Sequence, residues 1–140
     1  MKTCVVDASV IAAAFFQEEH SAKARDLLLS GCELHAPDLL YAETANVIWK
    51  RHARGEITED EAAALADDLL RLPLRIAPCI ELVKPALALA LQTGRTAYDC
   101  MYLALAVKNK SVLVSGDQRL INAIKGSAIE EHVAWIGSHR

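Results

Sequence analysis

Four carboxylates stand where ordinary surface acids do not. Asp7 directly follows the apolar run Cys4-Val5-Val6, and Asp117 follows Val112-Leu113-Val114 through Ser115-Gly116. Glu43 is the only acid between Leu39 and Trp49, and Asp99 interrupts Ala97 to Val107, where every other residue is apolar or aromatic. A carboxylate on a buried helix requires a partner. Each has a structural explanation: Asp7 and Asp117 as N-caps, Asp99 in a variant capping box with Thr96, Glu43 in an ion pair with a nearby base. Jointly they have a chemical one. Two unit charges about 4 Å apart repel by about 4 kcal/mol at an effective dielectric near 20, so gathered carboxylates call for a cation. All-oxygen donors suit Mg²⁺ or Mn²⁺. Such an ion activates water and polarises a phosphorus centre, so the expected chemistry is phosphoryl hydrolysis without a side-chain nucleophile. The same repulsion predicts that Asp99→Asn stabilises the metal-free protein.

The elements that must position these acids alternate between short β-branched runs and longer helical patterns, the pattern of a parallel sheet covered by helices. Strands are expected at Thr3 to Val6, Glu33 to Ala36, Leu74 to Ala77, Ser111 to Ser115 and His132 to Ile136. Helices are expected at Ala8 to Phe16, Glu19 to Ser30, Pro37-Asp38 through Trp49 to about Arg54, Thr58 to Pro73, Glu81 to Thr93, Thr96 to Lys108 and Asp117 to Lys125. Thr58 with Glu61 reads as a capping box, and Gly31, Gly55 and Gly94 fall where helices end. Asp7 and Asp117 then lie at carboxyl ends of strands, where an open parallel sheet binds ligands at the point of strand reversal. Helices carrying Glu43 and Asp99 flank that crevice.

Composition narrows the field. The 140 residues are expected to form one domain, 1–140, and their 53% hydrophobic and 24% charged content is that of a globular protein. No apolar run approaches the roughly 18 residues of a membrane span, and Met1-Lys2-Thr3 enters the first strand without a secretory leader, so cytoplasmic residence is expected. Cys4, Cys32, Cys79 and Cys100 never form C-x-x-C and read as buried thiols; His20, His35, His52, His132 and His139 show no ligand spacing. A net charge of −3 excludes a broadly basic surface that would hold nucleic acid through phosphates alone.

The segments Val5-Val6-Asp7-Ala8-Ser9, Ala36-Pro37-Asp38-Leu39 through Glu43-Thr44-Ala45-Asn46, Thr96-Ala97-Tyr98-Asp99 and Ser115-Gly116-Asp117 resemble the PIN-domain family, and within it the VapC toxins. The resemblance covers essentially the whole chain. It implies an α/β fold with a central parallel sheet of about five strands in the order 3-2-1-4-5, and a Mg²⁺- or Mn²⁺-dependent endoribonuclease site in which Asp7, Glu43, Asp99 and Asp117 are both metal ligands and catalytic groups. It also implies an RNA substrate, a VapB-type antitoxin and a homodimer, the last drawing on apolar faces near Leu27 to Leu29 and Leu69 to Leu72. Ser9 and Ser115 match small hydroxyls that orient acids or water. Asn46, one turn after Glu43, is either a support for that carboxylate, a substrate contact or a buried amide. Arg95 is either a phosphate contact or a solvent-facing loop residue, the basic run Lys50 to Arg54 meets a helix C-terminus, and Tyr98 and Tyr102 either stack on bases or, as is commoner in an apolar helix, pack in the core.

Other functions fit less well. An RNA-processing nuclease outside a toxin pair and a binding-only PIN homologue share the fold; the intact acidic set favours cutting over binding alone. A phosphorylated receiver needs an acid just after the third strand, where Ala77-Pro78-Cys79 stands. A dehalogenase-type phosphatase needs Asp-x-Asp, where Asp7-Ala8-Ser9 stands.

Overall fold

The computed structural model describes residues 2–138, so His139 lies outside it. Five strands, β1 (Thr3–Val6), β2 (Glu33–Pro37), β3 (Leu74–Ala77), β4 (Leu113–Ser115) and β5 (Val133–Trp135), form one sheet in the order β3-β2-β1-β4-β5. Every pairing is parallel, with Cys4 opposite Leu34, Val6 opposite Val114 and Ser115 opposite Trp135. The chain winds outward from β1 through β2 to β3, then returns to lay β4 on the other side of β1. That reversal opens a crevice beyond the carboxyl ends of β1 and β4.

Seven α-helices cover the sheet: α1 (Ala8–Phe15), α2 (Ser21–Leu29), α3 (Leu39–Ala53), α4 (Glu59–Arg71), α5 (Val83–Thr93), α6 (Ala97–Lys108) and α7 (Gln118–Ile124). Strands β1 and β4 carry apolar residues on both faces: Val5, Val6, Leu113 and Val114 are all buried, as strands covered on both sides must be. Helix α6 lies against β1 and β2 beneath α5 and buries Cys100 and every residue from Tyr102 to Ala106. Helix α3 instead buries one stripe, Leu40, Thr44 and Ile48, at four-residue spacing. The Thr58–Glu61 capping box forms with both of its bonds.

Several boundaries differ from those expected, for local reasons. Helix α2 starts at Ser21 rather than Glu19, because the Ser21 hydroxyl accepts from Glu18 N–H and donates to the Phe16 carbonyl, closing a turn first. A 3₁₀ turn at Cys79–Glu81 precedes α5, so that helix begins at Val83 rather than Glu81. Ser111 N–H bonds back to the Ala106 carbonyl and Lys110 takes a positive φ of 53°, so the fourth strand begins at Leu113. Neither expected apolar face is continuous: Leu27 and Leu69 are buried while Leu29 and Leu70 are exposed. The longer exposed apolar row is Ile80, Val83, Leu87 and Leu91, along α5 and the turn before it. All four cysteines are free, but only Cys4 and Cys100 are buried, Cys32 and Cys79 being partly open. No helix among the described residues is long and apolar enough to cross a membrane.

Candidate active site at the carboxyl edge of the sheet

Asp7 leaves β1 with extended backbone and caps α1, its Oδ1 accepting from the N–H groups of Ser9 (3.1 Å) and Val10 (3.3 Å) and from the Ser9 hydroxyl. Its Oδ2 accepts from Ser115 Oγ at 2.5 Å. Four donors therefore fix the carboxylate, so the capping role and a site role coexist in one residue. Burial is the largest influence on its acidity and outweighs these bonds, pushing the carboxyl from 3.8 up to about 6. Ser115, fully buried at the end of β4, also accepts from Asp117 N–H at 3.0 Å. Ser9 Oγ accepts from Gly116 N–H at 2.8 Å. Two small hydroxyls thus tie the end of β1 to the end of β4.

Asp117 caps α7 in the same way, Oδ1 accepting from Arg119 N–H (3.0 Å) and Leu120 N–H (3.4 Å). The capping role at α6 is split: Thr96 Oγ1 accepts from Asp99 N–H at 3.1 Å, but the Asp99 side chain does not reciprocate. It accepts instead from Arg95 Nη2 at 2.9 Å, and the same nitrogen lies 3.6 Å from Asp117 Oδ2. Arg95 is therefore no free loop arginine. Its Nε is buried without a partner, so the guanidinium occupies this seat with one donor unsatisfied.

Among the described residues, Glu43 on α3 has no basic partner. Tyr102, buried on α6, donates its hydroxyl to Glu43 Oε1 at 2.5 Å. Burial raises the Glu43 carboxyl above its ordinary range, the Tyr102 bond opposes this, and the nearby charge of Asp99 adds to it. Burial and the Glu43 contact in turn push the Tyr102 hydroxyl far up, with a smaller contribution from Asp7. Hydrogen bonds and ion pairs join Asp7, Ser115, Asp117, Arg95 and Asp99 into an arc, Tyr102 joins Glu43, and only the charges of Asp99 on Glu43 and of Asp7 on Tyr102 complete the acid ring. The bond from Tyr102 to Glu43 is not legible in the sequence, because a tyrosine in an apolar helix gives no sign of where its hydroxyl ends. Tyr98, expected in the core, is 62% exposed. Asn46 is exposed on α3, which removes the buried-amide reading. The basic run is engaged structurally, Arg51 pairing with Glu18 (2.6 Å) and Glu56 (3.1 Å) over the Phe16 ring.

Among the described residues, no three His, Cys, Asp or Glu side chains converge tightly enough to make a ready metal-binding group. Physical chemistry accounts for this spacing. Like-charged carboxylates separate when nothing neutralises them, and here a guanidinium holds two of the four. The donor set is nonetheless hard, oxygen-only and short of positive charge, which suits Mg²⁺ or Mn²⁺.

A parallel α/β sheet with acids at its reversal point defines a class of sites for phosphorylated or metal-bound ligands. The chain belongs to the PIN-domain family, whose profile matches residues 4–126. It is 42% identical over 118 residues to Ribonuclease VapC3 of Pyrobaculum aerophilum, covering 83% of this chain and 90% of that protein. It is 33% identical over 124 residues to Ribonuclease VapC1 of Mycobacterium tuberculosis, covering 88% of this chain and 92% of that one. Its fold also matches the structure of VapBC2 from Rickettsia felis bound to a DNA fragment from their promoter, with a TM-score of 0.64, 13% identity, and 95% and 98% of the two chains covered.

Proposed function

We propose that this chain is a Mg²⁺- or Mn²⁺-dependent endoribonuclease that hydrolyses RNA phosphodiester bonds, and that it is the toxin of a VapBC-type pair. The observation that carries the reading is the ring joining Asp7, Glu43, Asp99 and Asp117 across the β1–β4 crevice. The relatives named as VapC ribonucleases, and the VapBC2 pair of matching fold, support it.

Asp7, Glu43, Asp99 and Asp117 would hold the ion. When bound, a divalent ion supplies water activation and charge stabilisation at the phosphorus. The chain's own residues supply position. Ser9, Ser115 and the first turn of α1 keep Asp7 from rotating, while Tyr102 fixes Glu43 on the facing helix. Arg95 neutralises Asp99 and Asp117 in the metal-free protein. With a divalent ion bound, Arg95 would be available to a phosphate oxygen, which its planar fork matches. An antitoxin cation entering the same crevice would compete with metal by the same electrostatics. Self-association as a homodimer would use the exposed row on α5.

The test is cleavage of single-stranded RNA by the purified protein with Mg²⁺ or Mn²⁺. EDTA stops it, and Asp7→Asn abolishes it while preserving the fold. Cleavage by Asp7→Asn at the wild-type rate would remove the four-acid site. Co-purification with the product of an adjacent small reading frame, and inhibition by it, tests the toxin role separately.

A further inference from the structure

Beside the acid ring lies a cleft of about 460 Å³ that the ring does not use. One wall is Ser9, Gly116 and Gln118, which flank Asp7 and Asp117 directly; the other is His20, Trp135 and Ile136. Its volume lies within the range of small-molecule sites. Among the described residues no Lys or Arg lines it, whereas Glu18 and Glu19 do. Such a lining repels phosphate but accepts an uncharged ring.

The aromatic wall is rigid. His20 meets Trp135 edge-on, with centroids 5.2 Å apart and planes at 83°. Gly137 lies so close beneath the indole that a Cβ there would sit 2.5 Å from the ring, and Lys23 Nζ donates to the Gly137 carbonyl. An immobilised aromatic surface loses little entropy on stacking. The Gln118 amide nitrogen is taken by Asn122 Oδ1 at 3.2 Å, which leaves its carbonyl oxygen to accept from a ligand.

Ser9, which bonds to Asp7, and Gly116, which precedes Asp117, line this cleft, so a strand whose phosphate lies beside the acids passes its mouth. Proteins that bind single strands combine such a backbone track with an aromatic platform. We propose that the cleft is a nucleobase subsite, in which Trp135 stacks on the base adjoining the scissile phosphate and Gln118 accepts from that base's N–H edge. The inference rests on the ribonuclease reading.

Trp49 and Trp135 are the two tryptophans, so Trp49→Phe makes Trp135 the sole emitter. This protein is titrated in Mg²⁺ with non-cleavable 2′-O-methyl RNA decamers, intact or carrying one abasic residue walked along the chain. The intact decamer should shift Trp135 emission. One abasic position, next to the bond cut in ordinary RNA, should weaken binding roughly tenfold or more, the scale of one lost base–aromatic stack. In the Trp49-containing protein, Trp135→Leu should raise KM with kcat largely kept. Should Trp135→Leu fail to fold, Gln118→Ala, at an exposed helix start, should weaken RNA binding severalfold with an unchanged melting temperature. Unaltered Trp135 emission, or equal affinity for every abasic decamer, from a protein that still cuts RNA would overturn the subsite and leave the ribonuclease reading standing. No RNA cleavage by the wild type would remove both.

Discussion

At Asp7, burial and hydrogen bonding act in opposite directions on one proton. Burial prevails, so the folded protein holds that proton more tightly than the unfolded chain, up to about 6 against 3.8. The sign of the linkage follows: this group favours the folded state below about pH 4, and the benefit is lost as pH rises towards 6. The melting temperature of the metal-free wild type, relative to Asp7→Asn, should therefore fall between pH 4 and 6 and level off above; parallel curves would show that Asp7 is already ionised at pH 4. The sequence carried the identity of this residue, because an acid directly after an apolar strand is conspicuous. It carried less about Asp99. Charge repulsion alone predicted that Asp99→Asn would stabilise the metal-free protein, but Arg95 reverses the sign. Asn would forfeit the 2.9 Å ion pair and leave a guanidinium with an unpartnered Nε facing fewer acceptors. Asp99→Asn should lower the metal-free melting temperature slightly, since a partly exposed pair contributes at most about 1 kcal/mol. Arg95→Gln should do the same, yet raise divalent-ion affinity severalfold in calorimetry, because the ion no longer displaces a resident cation. Weakened ion binding would show that Arg95 helps to shape the site.

Elements were legible where punctuation is strong. Thr58 with Glu61, Thr96 before Asp99 and Gly94 after Thr93 all mark termini that hydrogen bonds or a left-handed glycine then realise. Termini set by tertiary contact were not. The Ser21 turn and the 3₁₀ turn before α5 depend on carbonyls and burial that no window of sequence displays. Ser115 shows the difference most sharply: the family resemblance points to it, but its two-way bonding between strands needs the register of β1 against β4. Ser115→Ala removes a buried donor to Asp7 and an acceptor for Asp117 N–H together, and should cost about 1–3 kcal/mol. Urea unfolding should show this as a lower midpoint at an unchanged slope. An unchanged midpoint would mean that water replaces the hydroxyl and the strand ends are held by the ladder alone.

Over the whole molecule, a net charge of −3 is gathered partly into one crevice, so the proposed metal binding would be coupled to stability. The strand order made that crevice foreseeable, because two acids following strands that become neighbours must face a common opening. The neighbouring cleft was not foreseeable: Trp135 sits in an unremarkable last strand, and its distance from Ser9 in sequence hides their proximity. A ligand that binds only the folded state stabilises it by about 2.7 kcal/mol at a hundred times its dissociation constant. For a chain of this size that is a rise of roughly 5–10 °C. Saturating Mn²⁺ or Mg²⁺ should thus raise the wild-type melting temperature by several degrees above its value in EDTA. The rise should vanish or shrink strongly in Asp7→Asn and Glu43→Gln, which lose a carboxylate charge at the crevice, and persist in Asp26→Asn, an exposed acid on α2. If Asp26→Asn lost the response as fully as Asp7→Asn, the ions would be screening net charge rather than occupying a site. If all four proteins responded equally, the acid ring would not be where the metal binds.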